Sequence, residues 1–389
     1  MRLKHVVVLL LIWLALAGCG GGGGSGGGST PPINSAAGGG TPSGSLSPVW
    51  TLETAAASDL GQTQAEVQSV LDHVFADTAT QAALLVLNGY VIGERYAPDR
   101  DASSLGHSWS VAKSFYSAAV GVAIDEGWIQ SVDQPAADFL TEWQGTAKET
   151  ITIGNLLEMR GGFAADSSIF FADDQTSFAL DFPLTGTPGS AFVYSNPTSQ
   201  LFEPLLRRAT GLDAHAYLRQ KILQPIGIDT NLIGMWFDPT GTHPLTYMGL
   251  DLTARDMARF GLLYARGGEW DGSQVVSASY VADSLVARSA NYGYQWWVLN
   301  ANFLNTPVPI DVSAALGLDG QKIYVWPEAD LVLVVQTRYE HNANQGYVLS
   351  DSNFPDTCTA RNSCPGATGS QTPSYDEVTL MLLLEALGD

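Results

Sequence analysis

His107-Ser108-Trp109-Ser110-Val111-Ala112-Lys113-Ser114-Phe115 opens the clearest helical stretch of the chain, which runs from Ser110 to Glu126 and stops at Gly127. Its Ala, Val and Gly content predicts burial on most sides. Lysine is scarce, with five in 389 residues, and Lys113 alone among them has a serine three positions earlier. Ser-x-x-Lys on a first helical turn puts a hydroxyl and an amine on one face. Ser110 Oγ then lies near the positive end of the helix dipole, beside N–H groups that have no partner within the helix. Burial and the dipole both disfavour an ammonium, so a neutral Lys113 is placed to accept the Ser110 proton. Alone the pattern is weak, since roughly one match is expected by chance in a chain this long. An N-cap serine with a solvated lysine is the plain alternative. The apolar helix counts against it, because Lys113 would have little polar company.

Before this helix, Thr63-Gln64-Ala65-Glu66 is a capping box, followed by Val67, Val70, Leu71 and Val74 at helical spacing. Ala82 to Leu87 and Tyr90 to Tyr96 flank Asn88-Gly89, the strongest short hairpin signal. From about 104 to 290 the pattern is helices and loops: Ile151 to Met159, Ser199 to Thr210, Ala214 to Leu223 and Ala254 to Ala265. Strands return at Tyr292 to Leu299, then as a second hairpin, Lys322 to Trp326 with Leu331 to Thr337. Ser374-Tyr375-Asp376-Glu377 caps an apolar helix that ends near Leu387. The fold class is therefore α/β (α+β): one antiparallel sheet built from both chain ends, flanked by terminal helices, with an inserted helical subdomain.

Tyr194-Ser195-Asn196 offers a second set of reactive groups. It follows the turn Thr187-Pro188-Gly189-Ser190 and precedes Pro197, so it lies in a constrained loop, although an aromatic and an amide are ordinary in such loops. A lysine cation beside Tyr194 would ease loss of the phenol proton. Asn196 could hold a substrate carbonyl.

These segments together resemble the serine β-lactamase-like superfamily, in its class C β-lactamase and esterase branch. His107 to Phe115 is similar to the family's first motif, and Tyr194-Ser195-Asn196 to its Tyr-x-Asn motif. Asp125 to Pro135, Ile151 to Gly162, Pro188-Gly189-Ser190 and Leu252 to Gly268 with Trp270-Asp271-Gly272 also fit, so the resemblance runs from about Gln62 to Leu387. It implies a β-lactamase/transpeptidase-like fold and no cofactor. By the same resemblance Ser110 is the acylated nucleophile, Lys113 and Tyr194 are the base and proton shuttle, and the Ser110 N–H joins one from a late strand in an oxyanion hole. The third motif, Lys-Thr-Gly in β-lactamases, is best matched by Leu318-Asp319-Gly320-Gln321. Asp319, Gly320 and Gln321 thus join Asn196 as candidate substrate contacts.

The chain departs from the family there. A leucine stands where a lysine holds the carboxylate of penicillins and D-alanyl peptides, and Asp319 would repel a carboxylate. The Gly-x-x-Gly-Gln pattern is closer to relatives that cleave esters or linear amides, of the 6-aminohexanoate-oligomer hydrolase type. The leading expectation is a serine hydrolase acting on a small ester or amide through an acyl-enzyme. The alternatives are a D-alanyl peptidase or class C-type β-lactamase, and a non-catalytic binding lipoprotein. Trp236, Phe237, Trp296 and Trp297 are candidates for a cleft wall and equally for the core.

The first residues read as an export signal. Arg2 and Lys4 precede an apolar run from Val6 to Ala17, too short to span a bilayer, which ends Leu16-Ala17-Gly18-Cys19. This resembles a bacterial lipoprotein box, with Cys19 the lipidated residue and residues 1–19 the signal. Residues 20–48 read as a Gly/Ser/Pro tether of roughly 30 Å, leaving 49–389 as the hydrolase domain. The expected location is the bacterial cell envelope, lipid-anchored and facing the periplasm. There Cys358 and Cys364 are expected to form a local disulfide worth about 2 kcal/mol. No cluster has metal-ligand spacing. A net charge of −21 with no basic stripe disfavours nucleic acid. Oligomeric state is not legible.

Overall fold

The computed structural model describes residues 46–77, 79–166, 168–337 and 375–388, without the side chain of Asp319. The predicted signal with Cys19, nearly all of the 20–48 tether, and Cys358 with Cys364 lie outside the described residues. Among the described residues no helix is long and apolar enough to cross a membrane.

Helix α1 (Gln64–Val74) starts on the predicted box, with Thr63 Oγ accepting from the Glu66 N–H and the Glu66 carboxylate accepting in return. Strands β1 (Thr80–Leu87) and β2 (Tyr90–Tyr96) follow. Asn88 at φ +51° and Gly89 at φ +79° make the tight turn whose twist suits an antiparallel hairpin. Next come β3 (Gly106–His107), a 3₁₀ turn over Trp109–Val111 and helix α2 (Ala112–Asp125). The helical section continues with α3 (Ile153–Leu157), α4 (Gln175–Asp181), α5 (Asn196–Gln200), α6 (Phe202–Thr210) and α7 (Ala214–Leu218). Strands β4 (Gly234–Met235) and β5 (Leu250–Leu252) precede α8 (Ala254–Ala265). After α9 (Ala278–Leu285) the strands return as β6 (Trp297–Leu299), β7 (Val312–Leu316), β8 (Lys322–Trp326) and β9 (Leu331–Thr337), and helix α10 (Glu377–Gly388) closes the described chain.

The principal sheet is antiparallel with order β2-β1-β9-β8-β7-β6. Its centre joins the two ends of the chain: Leu84 lies opposite Val334 and Val86 opposite Val332. Both faces are covered, which is why β1 and β9 read as unbroken apolar runs. Ala83, Leu85, Leu333 and Val335 pack with α1 and α10. Leu84, Val86, Val332 and Val334 face the core that holds α2 and α8. A second sheet, β3-β5-β4, lies within the helical section.

Several expected boundaries moved. Tyr292 to Leu299 shrinks to β6, because Gln295 takes φ +63° and breaks the strand. The predicted helix from Ser199 is two, α5 and α6, and Ala214 to Leu223 passes from α into a π turn at Arg219–Leu223. Ser374 lies outside the described residues, and Asp376 caps α10 by accepting from the Thr379 N–H at 2.7 Å.

Helix α8 sits so close to the sheet that a Cβ at Gly261 would lie 2.6 Å from Val332 Cγ1 and 2.9 Å from Ile323 Cγ2. Gly261→Ala is expected to destabilise the fold by about 1–3 kcal/mol in urea denaturation, despite the better helix propensity of alanine. Unchanged stability would contradict this packing.

Candidate active site

Ser110 is held by the short strand before it. The Ser108 N–H donates to Leu250 O of β5 at 2.8 Å, and Trp109 then adopts φ +48°, a left-handed conformation that is costly for an aromatic residue. Ser110 lies within the 3₁₀ turn, two residues before α2 begins. From Ala112 to Ala123 that helix is buried all round. Lys113 is therefore carried into the core, 1 % exposed, where few water contacts are left to its amine.

The Lys113 amine has two polar neighbours, Ser110 Oγ at 2.8 Å and the Tyr247 carbonyl oxygen at 2.9 Å. The rings of Tyr194 and Tyr247 lie 5.2 and 5.4 Å away. Burial pushes the Lys113 ammonium well below its ordinary value of 10.5. A neutral amine has two N–H groups and one lone pair. The Tyr247 carbonyl can only accept, so it takes an N–H and leaves the lone pair free to face the Ser110 hydroxyl.

A hydrogen bond donated by the Ser110 hydroxyl would favour the Tyr194 phenolate. Burial pushes its phenol well above the ordinary range, outweighing that bond. Burial thus opposes the expected easing by a neighbouring cation, and at Lys113 it disfavours that cation as well. For a neutral amine the proton inventory fits two directed bonds, from the Ser110 hydroxyl to Lys113 Nζ and from Lys113 to the Tyr247 carbonyl. Trp297 stacks on the Tyr194 ring at 5.6 Å and 26°. Asn196 begins α5 half-buried, and its side chain makes no hydrogen bond among the described residues.

The Leu318–Gly320 turn joins β7 to β8. A Cβ at Gly317 would lie 2.4 Å from Ser108 O and 3.3 Å from Trp109 Cβ, so this corner abuts the turn that carries Ser110. Gln321 does not present its side chain to a ligand. Its amide donates to Thr337 O at 2.8 Å and accepts from the Thr337 N–H at 3.2 Å, tying the corner to β9. Gln321 is thus a strand tie, and only its backbone remains as a substrate contact. Of the aromatic candidates, Trp296 is fully buried against Phe260 and Tyr264, and Phe237 lies against His215. Trp236 is hydrogen-bonded to Asp251. Trp297 alone of the four reaches Tyr194.

Sequence spacing missed three things. The Tyr247 carbonyl is backbone and carries no residue-type signal. The pair of His107 Nδ1 and Asp251 Oδ1, 2.8 Å apart, spans 144 positions. Asp174, Asp238 and His243 have potential ligand atoms within 4.8 Å of one another. Their carboxylates already accept from protein groups, Asp238 from Thr240 Oγ1 and Asp174 from the Ser177 N–H.

A family model described as Beta-lactamase matches residues 75–349. The chain belongs to the beta-lactamase family. It is 25% identical over 330 residues to the 6-aminohexanoate-dimer hydrolase of Paenarthrobacter ureafaciens, covering 72% of this chain and 80% of that protein. A Bacillus anthracis structure provisionally named as a 6-aminohexanoate-dimer hydrolase shares the fold with TM-score 0.59 and 21% identity, over 75% of this chain and 79% of that one. A penicillin-binding protein homologue from Caulobacter crescentus gives TM-score 0.57 and 18% identity, over 70% and 91%.

Lys113 makes stability depend on pH. Unfolded, its amine titrates near 10.5; folded, well below. Between those values the unfolded chain holds a proton that the folded chain lacks, so stability rises with pH. Lys113→Met removes this dependence. The wild-type minus Lys113→Met difference should climb towards pH 10.5 by up to about 1.4 kcal/mol per unit in urea denaturation. A flat difference would contradict a depressed Lys113.

Proposed function

We propose that this beta-lactamase-family hydrolase cleaves an ester or linear amide through an acyl-enzyme on Ser110. The 2.8 Å contact between Ser110 Oγ and a buried, desolvated Lys113 carries the reading. Lys113 takes the hydroxyl proton as Ser110 attacks the carbonyl carbon. Tyr194, still a phenol, hands its proton to the departing alcohol or amine and is reprotonated from Lys113. The Ser110 N–H and a backbone N–H of the 317–321 corner stabilise the oxyanion. Water then attacks the acyl-enzyme with the same groups acting in reverse.

The substrate class follows from the missing cation. Leu318 occupies the third motif, and the nearest lysine, Lys322, does not substitute for it. Its side chain faces the opposite core, paired with Glu377 and lying 4.7 Å from the Tyr375 ring centroid. Among the described residues no lysine stands at that corner to hold a carboxylate beside the scissile bond, which argues against penicillins and D-alanyl peptides. The relative whose name specifies an aminohexanoate dimer supports a linear amide as one member of the substrate class.

A fluorophosphonate probe should label the wild type and not Ser110→Ala, and turnover of a nitrophenyl ester should fall on the order of 10⁴-fold in that variant. Labelling that persists in Ser110→Ala would refute the assignment, and efficient covalent capture of a fluorescent penicillin would favour the peptidase or β-lactamase reading. We propose further that residues 1–19 direct export and that Cys19 is lipidated, on the strength of Leu16-Ala17-Gly18-Cys19 after the apolar run. Cys19→Ala should move the protein from the detergent phase to the aqueous phase; unchanged partition would sink the anchor.

A further inference from the structure

We propose that Asp251 is a positioning residue that locks the strand carrying Ser110 to the loop whose carbonyl orients Lys113, through paired hydrogen bonds to His107 and Trp236. The inference rests on the hydrolase reading above and concerns the same site.

The carboxylate bridges two elements that have no sequence proximity. Its Oδ1 accepts from His107 Nδ1 at 2.8 Å, and its Oδ2 accepts from Trp236 Nε1 at 2.8 Å. Asp251 is 8 % and His107 3 % exposed, so the His107 bond is sheltered from water and the Trp236 bond partly so. His107 Nε2 is buried without a hydrogen-bond partner, so Asp251 holds that ring through its only polar contact among the described residues. His107 is the last residue of β3, opposite Asp251 in register, and Ser108 follows with its N–H on Leu250 O. Fixing His107 thus fixes the approach to Ser110.

The other half of the bridge closes a loop. The Trp236 N–H donates to Gly249 O and the Leu245 N–H donates to Trp236 O, each at 2.9 Å. Tyr247 lies between those two ties, and its carbonyl accepts from Lys113. Trp236 O also accepts from His215 Nε2 at 2.8 Å, anchoring the loop to α7. One carboxylate therefore ties the nucleophile's strand to the amine's acceptor. There is no room for a longer acid, since a Cβ at Gly234 would already lie 2.5 Å from Asp251 Oδ2.

Asp251→Asn keeps the size but replaces one accepting oxygen with an NH₂, which cannot accept from Trp236 Nε1 or from a protonated His107 Nδ1. Trp236→Phe removes one donor and keeps most of the ring. In both, the Tyr247 carbonyl drifts and water gains access to Lys113, which favours the ammonium. Lys113 is faced by Ser110 from its own turn, by Tyr194 from the segment before α5, and by the ring and carbonyl of Tyr247; none of these is a carboxylate.

The test is steady-state hydrolysis of 4-nitrophenyl acetate by the full chain across pH, for wild type, Asp251→Asn and Trp236→Phe. In Asp251→Asn, kcat should fall about ten- to a hundredfold, the scale of a misplaced catalytic group. KM should stay within about twofold. The acid limb should move to higher pH in both variants. A purely structural defect would lower the active fraction and leave the pH profile in place. Wild-type kcat and an unmoved acid limb in both variants overturn the inference. If Asp251→Asn does not fold, by near-ultraviolet circular dichroism, Trp236→Phe decides alone by the same two readouts. A wild type without Ser110-dependent turnover would refute the hydrolase reading itself.

Discussion

Everything in the site turns on an amine that has been denied water. Lys113 sits on a helix buried on every side, and two oxygens are its polar contacts. Desolvation disfavours its ammonium at a cost in folding stability, and the same desolvation suits it to the proposed role of base. Tyr194 is shifted in the opposite sense by the same cause, because burial disfavours phenolate as it disfavours ammonium. The environment thus shifts an amine and a phenol in opposite directions beside one hydroxyl, the separation that the proposed acid and base would need.

The fold exists around that arrangement in a definite way. The central strands β1 and β9 come from the two ends of the chain, and the 317–321 corner of the same sheet abuts Ser108 and Trp109. The helical section supplies α2 with its lysine and the loop with the Tyr247 carbonyl. Neither half builds the site alone. The left-handed turn at Trp109 is tolerated because Ser108 is pinned to β5 on one side and α2 is packed on the other.

Much of this was legible. Asn88-Gly89, the capping box at Thr63, and the apolar runs of β8 and β9 carry local signals that tertiary structure only reinforces. Ser110, Lys113 and Tyr194 were found by spacing and resemblance, and they come together. What failed was long-range or backbone in origin. Gln321 looked like a ligand contact because it follows the third motif, yet its amide is consumed by a residue 16 positions on. The Tyr247 carbonyl, the Asp251 bridge and the β3-β5-β4 sheet come from pairings of two- and three-residue strands too short to show a period. For Tyr194 the expected easing by a neighbouring cation is outweighed by burial of the phenol, which no local spacing shows.

The most direct test of the central claim is the protonation state of Lys113 itself. Nitrogen-15 NMR of the lysine side chains, assigned by comparison with Lys113→Met, would report it across pH. The account predicts one resonance at the shift of a free amine near neutral pH, with a midpoint well below 10.5. A Lys113 signal that remains an ammonium until pH approaches 10.5 would contradict it.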